Sequence, residues 1–379
     1  MFLFGRQTLY NASQILTRIN AVMLKKWISS LQLARDIWRR KLGLLLFDRP
    51  SPAFKLDKPL KRVVLVRWDA KWGDAIVSSF IFREWRRAYP NIKIDVITTP
   101  NMSNLFKKYF GADHVYEIKK RPSYSELKSL ALEIGEADLL VHISKALKMK
   151  DLYFMNKVQA RTISGLDDAV GLVGLKLGKL TEGKHFADKF GILLEQTGVD
   201  IKDSSYIVPD DEASQNGVDD FLSSIEGPIL AFNPYGSGKS RQLSKEKIKK
   251  IIGKVAEIRN DVSVVILTTP DKKDEVADIC EFYDQAFYYP ESNSIYDSIS
   301  IMRRAAWVIS VDTATVHIAI GLNKPLLALY NPDDENFIEW GPNASLAISI
   351  FASEVNPPDI NSIDGDLLSE HIYKLLNVK

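Results

Sequence analysis

From residue 62 onward the chain alternates short, continuously apolar runs with longer amphipathic stretches. The runs RVVLVRW (62–68), KIDVITT (93–99), HVYEI (114–118) and DLLVHIS (138–144) predict buried strands. Between them, DAIVSSFIFREWRRAYP (74–90), NMSNLFKKYF (101–110) and YSELKSLALEIGEA (124–137) carry apolar residues at helical spacing and predict helices. The segment 150–205 is less regular. A polar stretch rich in Asp, Ser and Gly (209–227) reads as the way into a second domain, where the rhythm repeats. There PILAFNP (228–234), VSVVILT (262–268), WVISV (307–311) and PLLALYN (325–331) predict strands. SKEKIKKIIGKVAEI (244–258), DKKDEVADICEFY (271–283), SIYDSISIMRRA (294–305) and DTATVHIAIGL (312–322) predict helices.

Strands buried on both faces and joined by helices imply an α/β protein with parallel sheets. The pattern divides the chain into a basic helical extension (1–58), an N-terminal Rossmann-like domain (59–215) and a C-terminal Rossmann-like domain (216–379). The closing helix is expected to pack back on the first domain.

Ligands of such sheets bind beyond the carboxyl ends of the strands. That rule selects residues 69–74, 233–241, 268–271, 312–317 and 331–334. In the first group, Asp69 and Asp74 flank Trp72 and Gly73. A dinucleotide turn of the G-x-G-x-x-G type would need more glycine than this. Asp69 as a turn residue and Asp74 as a helix cap are the plain alternatives. NPYGSGKS (233–240) approaches a P-loop, but Asn233 stands where glycine is required and Pro234 lacks an amide hydrogen. What remains is a Gly/Ser loop with Lys239 and Arg241, two cations suited to a diphosphate. In SVDTATVH (310–317), Asp312, Thr313 and the first amides of a helix suit an anion or a ribose, with N-capping as the alternative. His317 follows about one turn later. No His/Asp/Glu cluster has metal-ligand spacing, and DGD (364–366) reads as the cap of the last helix.

Composition adds exclusions. The chain has 379 residues, 46% hydrophobic and 26% charged, with a net charge of only +2, which argues against a nucleic-acid binder. The single cysteine, Cys280, rules out a disulfide framework. The charge is uneven, however. Arg6, Arg18, Lys25, Lys26, Arg35, Arg39, Arg40, Lys41, Arg49, Lys55 and Lys58 are opposed only by Asp36, Asp48 and Asp57, and are interleaved with Trp27, Trp38 and LGLLLF (42–47). No apolar run there reaches the ~18–20 residues of a membrane span, and no secretory signal is evident. A segment of this kind suits an anionic membrane surface; packing on the body of the protein is the alternative.

Taken in series, VRWDAKWGDAI, FNPYGSGKSRQLS, SVDTATVHIAIGLNKP and YNPDDENFIEWGP resemble glycosyltransferase family 9, the heptosyltransferases of lipopolysaccharide core assembly. The likeness runs over residues 62–345. The first turn is one residue longer than the family's R-x-D-x-x-G-D, and Ala314 stands for the glycine of D-T-G. The resemblance implies a GT-B fold, in which two Rossmann-like domains face across a cleft. It implies Asp74 as general base, and Lys239, Arg241, Asp312, Thr313, Ala314 and His317 around the donor diphosphate. Asn233, Gly236, Ser237, Thr268 and Ser294 are further candidate donor contacts. Arg67, Asp69 and Gly73 are candidates on the acceptor side, with Gly73 letting the backbone turn tightly so that the Asp74 carboxylate enters the cleft. The implied reaction is inverting and free of metal or cofactor. It moves a heptose from ADP-heptose to a lipid A–core saccharide at the inner face of the cytoplasmic membrane. A P-loop-like ATPase, a non-catalytic binding protein and a family member using another nucleotide sugar are the alternatives.

Overall fold

The computed structural model describes Trp27 and residues 30–378; Arg6, Arg18, Lys25 and Lys26 lie outside the described residues. Among the described residues, twelve strands lie in two parallel sheets of six strands each. These residues form two compact units, one of residues up to 55 with 121–179, the other of residues 56–120 and 180 onward.

In the first unit, residues 30–47 are helical. The helix is tied down near its C-terminal end. Arg40 pairs with Asp167 at 2.7 Å, and the side-chain amide of Asn156 donates to the Phe47 carbonyl at 2.8 Å. The Asp48 carboxylate then accepts from the amides of Gly171 and Leu172, both at 2.9 Å. The segment 150–205, expected to be irregular, holds the helix Met149–Lys157, two strands and, in the second unit, the helix Phe186–Gln196.

The strands of the second unit's N-terminal part are β1 (Arg62–Arg67), β2 (Lys93–Thr98) and β3 (His114–Glu117), parallel in the order β3-β2-β1. The first unit supplies β4 (Glu136–His142), β5 (Gln159–Gly165) and β6 (Leu175–Lys176), parallel in sequence order. Helix 74–90 proves to be two helices, Trp72–Val77 and Phe80–Ala88. The Ser78 and Ser79 hydroxyls donate to the carbonyls of Ala75 (3.0 Å) and Ile76 (2.7 Å), a local alternative to the helical ladder that breaks it there.

The second sheet comprises β7 (Ile229–Asn233), β8 (Ser263–Ile266), β9 (Ala286–Tyr288), β10 (Trp307–Val311), β11 (Leu326–Tyr330) and β12 (Ala347–Phe351). Its order, β12-β11-β10-β7-β8-β9, is the doubly wound one, reversing direction between β7 and β10. A ligand crevice therefore opens where β7 ends at Asn233 and β10 ends at Val311; Ser310 and Asn233 are register partners. The closing helix, Gly365–Leu376, is capped by Asp364, whose carboxylate accepts from the amides of Asp366 and Leu367. Its apolar face (Leu368, Ile372, Leu375, Leu376) lies in the core of this second sheet, so its packing partner is that sheet rather than the first domain.

Candidate active site

The turn after β1 sets up the first half of the site. Ala70 takes φ 56°, a left-handed value that costs a residue with a Cβ about 1–2 kcal/mol, and it absorbs the extra residue of this turn. Gly73 therefore has a different role from the one expected. It is the second residue of helix Trp72–Val77, and what it provides is closeness. A Cβ there would lie 2.9 Å from His317 Cδ2 and 3.4 Å from Ala314 Cα. This helix thus lies flush on helix Ala314–Gly321, and the turn after β1 meets the turn after β10.

Asp74 occupies the third position of its helix, so it is not the N-cap; that place belongs to Lys71. Its carboxylate is mostly buried, 3.8 Å from Lys71 Nζ. Burial raises its pKa to about 6, assisted by Asp69 and opposed by Arg67 and Lys71. Arg67 is itself buried, and its Nη2 lies 3.6 Å from Asp69 Oδ2. The group is a carboxylate kept on the edge of ionisation by burial, one neighbouring acid and two cations. Trp72, beside it, meets Tyr296 edge-to-face at 5.5 Å.

The second half lies at the switch between β7 and β10. Arg241 Nη1 sits 3.1 Å from Asp312 Oδ2, a pair that bridges the loop after β7 and the end of β10. Burial raises the pKa of Asp312, while Arg241 first and Lys71 after it act to lower it. Lys71 thus influences both Asp74 and Asp312. Lys239 is exposed on the same loop and pairs with no carboxylate among the described residues. Gly236 is required there, since a Cβ would lie 2.7 Å from both Cβ and O of Arg241. Ser237 is exposed at the loop tip. Thr313 is the N-cap of helix Ala314–Gly321 and makes no side-chain capping bond, which leaves the first helical amides facing the crevice.

Other expected residues are engaged elsewhere. The Asn233 amide donates to the hydroxyls of Thr315 (2.8 Å) and Ser310 (3.3 Å), tying the strand end to the helix. Ser294 caps helix Ile295–Arg304 in a box with Asp297. Thr268 is buried; its hydroxyl donates to the Thr269 carbonyl at 3.2 Å and its own carbonyl accepts from Ser292. The loop also departs from a P-loop in geometry: the Tyr235 and Gly236 amides are bonded to Asn233 Oδ1 and the Arg241 carbonyl, and the following helix begins only after its cap, Ser244.

His317 is buried, and burial lowers its pKa to about 3, so its imidazole is neutral. Near it lies a group that the motifs did not flag. His185 Nε2 lies 3.1 Å from the Gly341 carbonyl, while its Nδ1 accepts from the Ala187 amide, so Nε2 carries the hydrogen. Lys189 Nζ meets Glu339 Oε1 at 2.6 Å with both side chains buried, and Phe186 stacks on Trp340 at 4.0 Å. The available signal was the Asp188–Lys189 pair inside the largely apolar FADKFGILL and a glutamate just before WGP. Among the described residues no group of three or more His, Cys, Asp or Glu is arranged to hold a metal ion.

Residues 178–361 match the family model described as Glycosyltransferase family 9 (heptosyltransferase). Over 158 residues the chain is 30% identical to the "Putative lipopolysaccharide heptosyltransferase 4" of Escherichia coli strain K12; the match spans 39% of this chain and 40% of that protein. The chain thus spans about two fifths of the length of this curated relative. Among solved structures, a glycosyl transferase family 9 protein from Veillonella parvula aligns with TM-score 0.69 at 19% identity, over 86% of this chain and 99% of that one. E. coli ADP-heptose lps heptosyltransferase II aligns with TM-score 0.62 at 15% identity, over 83% and 98% of the two chains. E. coli heptosyltransferase WaaC with ADP gives TM-score 0.63 at 15% identity, over 83% and 99%. At these identities the likeness establishes the fold, the GT-B pairing of two Rossmann-like sheets. Residues 233–241 and 312–317 fall inside the matched range, whereas Asp74 lies outside it.

The elevated Asp74 pKa carries a stability consequence. The folded value of about 6 lies above the unfolded value of 3.8, so proton binding favours the fold. The cost of the ionised carboxylate is absent below pH 3.8, grows as pH rises toward 6 and is full above it. Asp74→Asn should therefore stabilise the protein at pH 7.5 by about 1–3 kcal/mol. The gain should shrink as pH is lowered through 6 toward 4. Urea melts of both proteins at three pH values measure it; a destabilised variant at pH 7.5 would reverse the account.

Proposed function

We propose, from the match of residues 178–361 to the glycosyltransferase family 9 (heptosyltransferase) model, that this chain is an inverting glycosyltransferase. It moves a heptose from ADP-heptose to an inner-core sugar of a lipid-linked saccharide, without a bound metal, at the inner face of the cytoplasmic membrane. The observation that carries the reading is the contact of Gly73 with Ala314 and His317, which puts a buried carboxylate beside a switch-point crevice edged by cations. The solved relatives include a heptosyltransferase with ADP and one with ADP-2-deoxy-2-fluoro heptose, which supports a nucleotide-sugar donor.

In this reading Asp74 accepts the proton of the acceptor hydroxyl as its oxygen bonds to the anomeric carbon, and the bond from that carbon to the diphosphate breaks on the opposite side. Arg241 and Lys239, with the uncapped amides after Thr313, take the charge that develops on the departing diphosphate. Neutral His317 contributes hydrogen bonding and no charge. Arg67 and Asp69, on the Asp74 side, face the acceptor.

A screen of nucleotide sugars against a truncated lipopolysaccharide acceptor, read by mass spectrometry, tests donor and acceptor together. ADP-heptose is the expected donor, and Asp74→Asn should lower kcat by roughly 10²–10⁴-fold while ADP affinity stays within about twofold. The wild-type kcat/KM should fall about tenfold per pH unit below pH 6 as Asp74 protonates. An Asp74→Asn enzyme with wild-type turnover would remove the base from this site.

ADP calorimetry separates the two basic side chains. Arg241→Ala should weaken binding by about 1.5–3 kcal/mol, because the Asp312-held guanidinium is already oriented; Lys239→Ala, at an exposed position, should cost less. Equal and negligible losses would place the diphosphate elsewhere.

Activity should also persist in excess EDTA, since the positive charge needed by the leaving group is supplied by side chains. Loss of turnover that Mg²⁺ or Mn²⁺ restores would defeat the metal-free mechanism.

A further inference from the structure

The helix 30–47 presents two opposed faces. Arg40, Gly43 and Phe47, spaced three and four residues apart, line one of them. This face is docked: Arg40 on Asp167, Phe47 edge-to-face on Tyr153 at 5.2 Å, and Gly43 so close to the helix Met149–Lys157 that a Cβ would lie 3.0 Å from Met149 Cα. At about 100° per residue, Leu31, Trp38, Leu42 and Leu45 lie on the opposite side. Their exposures are 50%, 74%, 45% and 81%, and Trp27 is 62% exposed. Of the fifteen large hydrophobic residues exposed among the described residues, eight lie between Trp27 and Leu46, so the exposure is concentrated here. Arg35, Arg39 and Lys41 are exposed beside the stripe, and Asp36 is the only acid in this helix.

We propose that this stripe is a docking surface for an anionic lipid bilayer, on which the helix lies flat. Apolar side chains enter the acyl boundary, the tryptophans sit at headgroup level and the flanking cations meet lipid phosphates. The stripe is exposed because the docked face has already used the helix's contacts with the body. The charge selects the occupant. A second copy seated on the stripe would bring Arg35, Arg39 and Lys41 against their own equivalents, with Asp36 alone to offset them. An anionic surface complements all three cations. Among the described residues no helix is long and apolar enough to cross a membrane, so the attachment is peripheral. None of this depends on which sugar is transferred.

Co-sedimentation of the full chain with vesicles of phosphatidylcholine alone, or with about a third phosphatidylglycerol, tests the assignment. The protein should bind the anionic vesicles and lose about tenfold in partitioning when salt rises from about 0.1 to 0.5 M. Two variants separate the contributions. Trp38→Gln with Leu42→Gln and Leu45→Gln should weaken binding by at least about tenfold. Arg35→Gln with Arg39→Gln and Lys41→Gln should do the same on anionic vesicles and change little on neutral ones. Both should keep the wild-type melting temperature within a few degrees, since the altered side chains do not pack on the body. No binding by the wild type, equal binding by the Trp38 variant, or indifference to lipid charge would each overturn the proposal. So would a wild-type dimer in sedimentation equilibrium that the Trp38 variant abolishes, because the stripe's occupant would then be a second copy.

Discussion

The missing side chain at position 73 governs the geometry of the site. Helix Trp72–Val77 reaches helix Ala314–Gly321 because nothing projects from Gly73 toward His317 and Ala314. Any Cβ at 73 would force His317 aside or part the helices, and His317 is packed on all sides with no room to yield cheaply. This close approach also creates the electrostatics, because it removes water from Asp74 and His317 together. Desolvation then acts in opposite directions on an acid and a base. It holds the imidazole neutral and lifts the carboxyl toward neutrality, so both groups are pressed toward zero charge. The two differ in what surrounds them. Asp74 has Arg67 and Lys71 nearby to recover part of its ionisation, whereas His317 has another buried histidine, His185, whose influence lowers it further.

The His185–Lys189–Glu339 group supports the same arrangement from the other side. A buried Lys–Glu pair adds little net stability over an apolar pair of similar volume, but breaking it leaves an uncompensated charge. Its geometry therefore specifies registry more than it adds energy. With Phe186 stacked on Trp340 and His185 bonded to the Gly341 carbonyl, helix Phe186–Gln196 and helix Asp334–Trp340 are fixed at three points in the region where His317 lies.

Much of the fold was legible because continuous Val/Ile/Leu runs leave few readings other than buried parallel strands. That reading found β1, β2, β3, β4, β7, β8, β10 and β11. It missed β9, whose three residues AFY are too short to show a period, and β12, whose AISIF is only half buried at the sheet edge. β5 was missed because QARTISG is polar and small, and its pairing supplies what its composition lacks. Strand ends and charge select Asp74, Arg241 and Asp312 as candidates, whereas the role of Asp74 as a base is implied only by the resemblance to glycosyltransferase family 9. Gly73 was identified for the wrong reason, since conformational freedom and closeness of approach look the same in a sequence; the left-handed residue of the turn is Ala70. Asn233 and Ser294 looked like free polar groups, but Asn233 ties β7 to the Ser310 and Thr315 hydroxyls and Ser294 caps its own helix.

The Arg241–Asp312 pair sets a carboxylate next to the cation proposed to meet a diphosphate, which at first sight works against binding. The geometry resolves this. A guanidinium is planar and directional, so its usefulness to a phosphate depends on being aimed before the ligand arrives. Asp312 holds one edge at 3.1 Å, which removes the cost of ordering the side chain during the reaction. Lys239 needs no such holder, because an ammonium is a point charge that works from many directions. The carboxylate also tempers the cation. In the proposed role, the oriented arginine fixes where the developing charge sits, and the exposed lysine adds attraction that solvent screens.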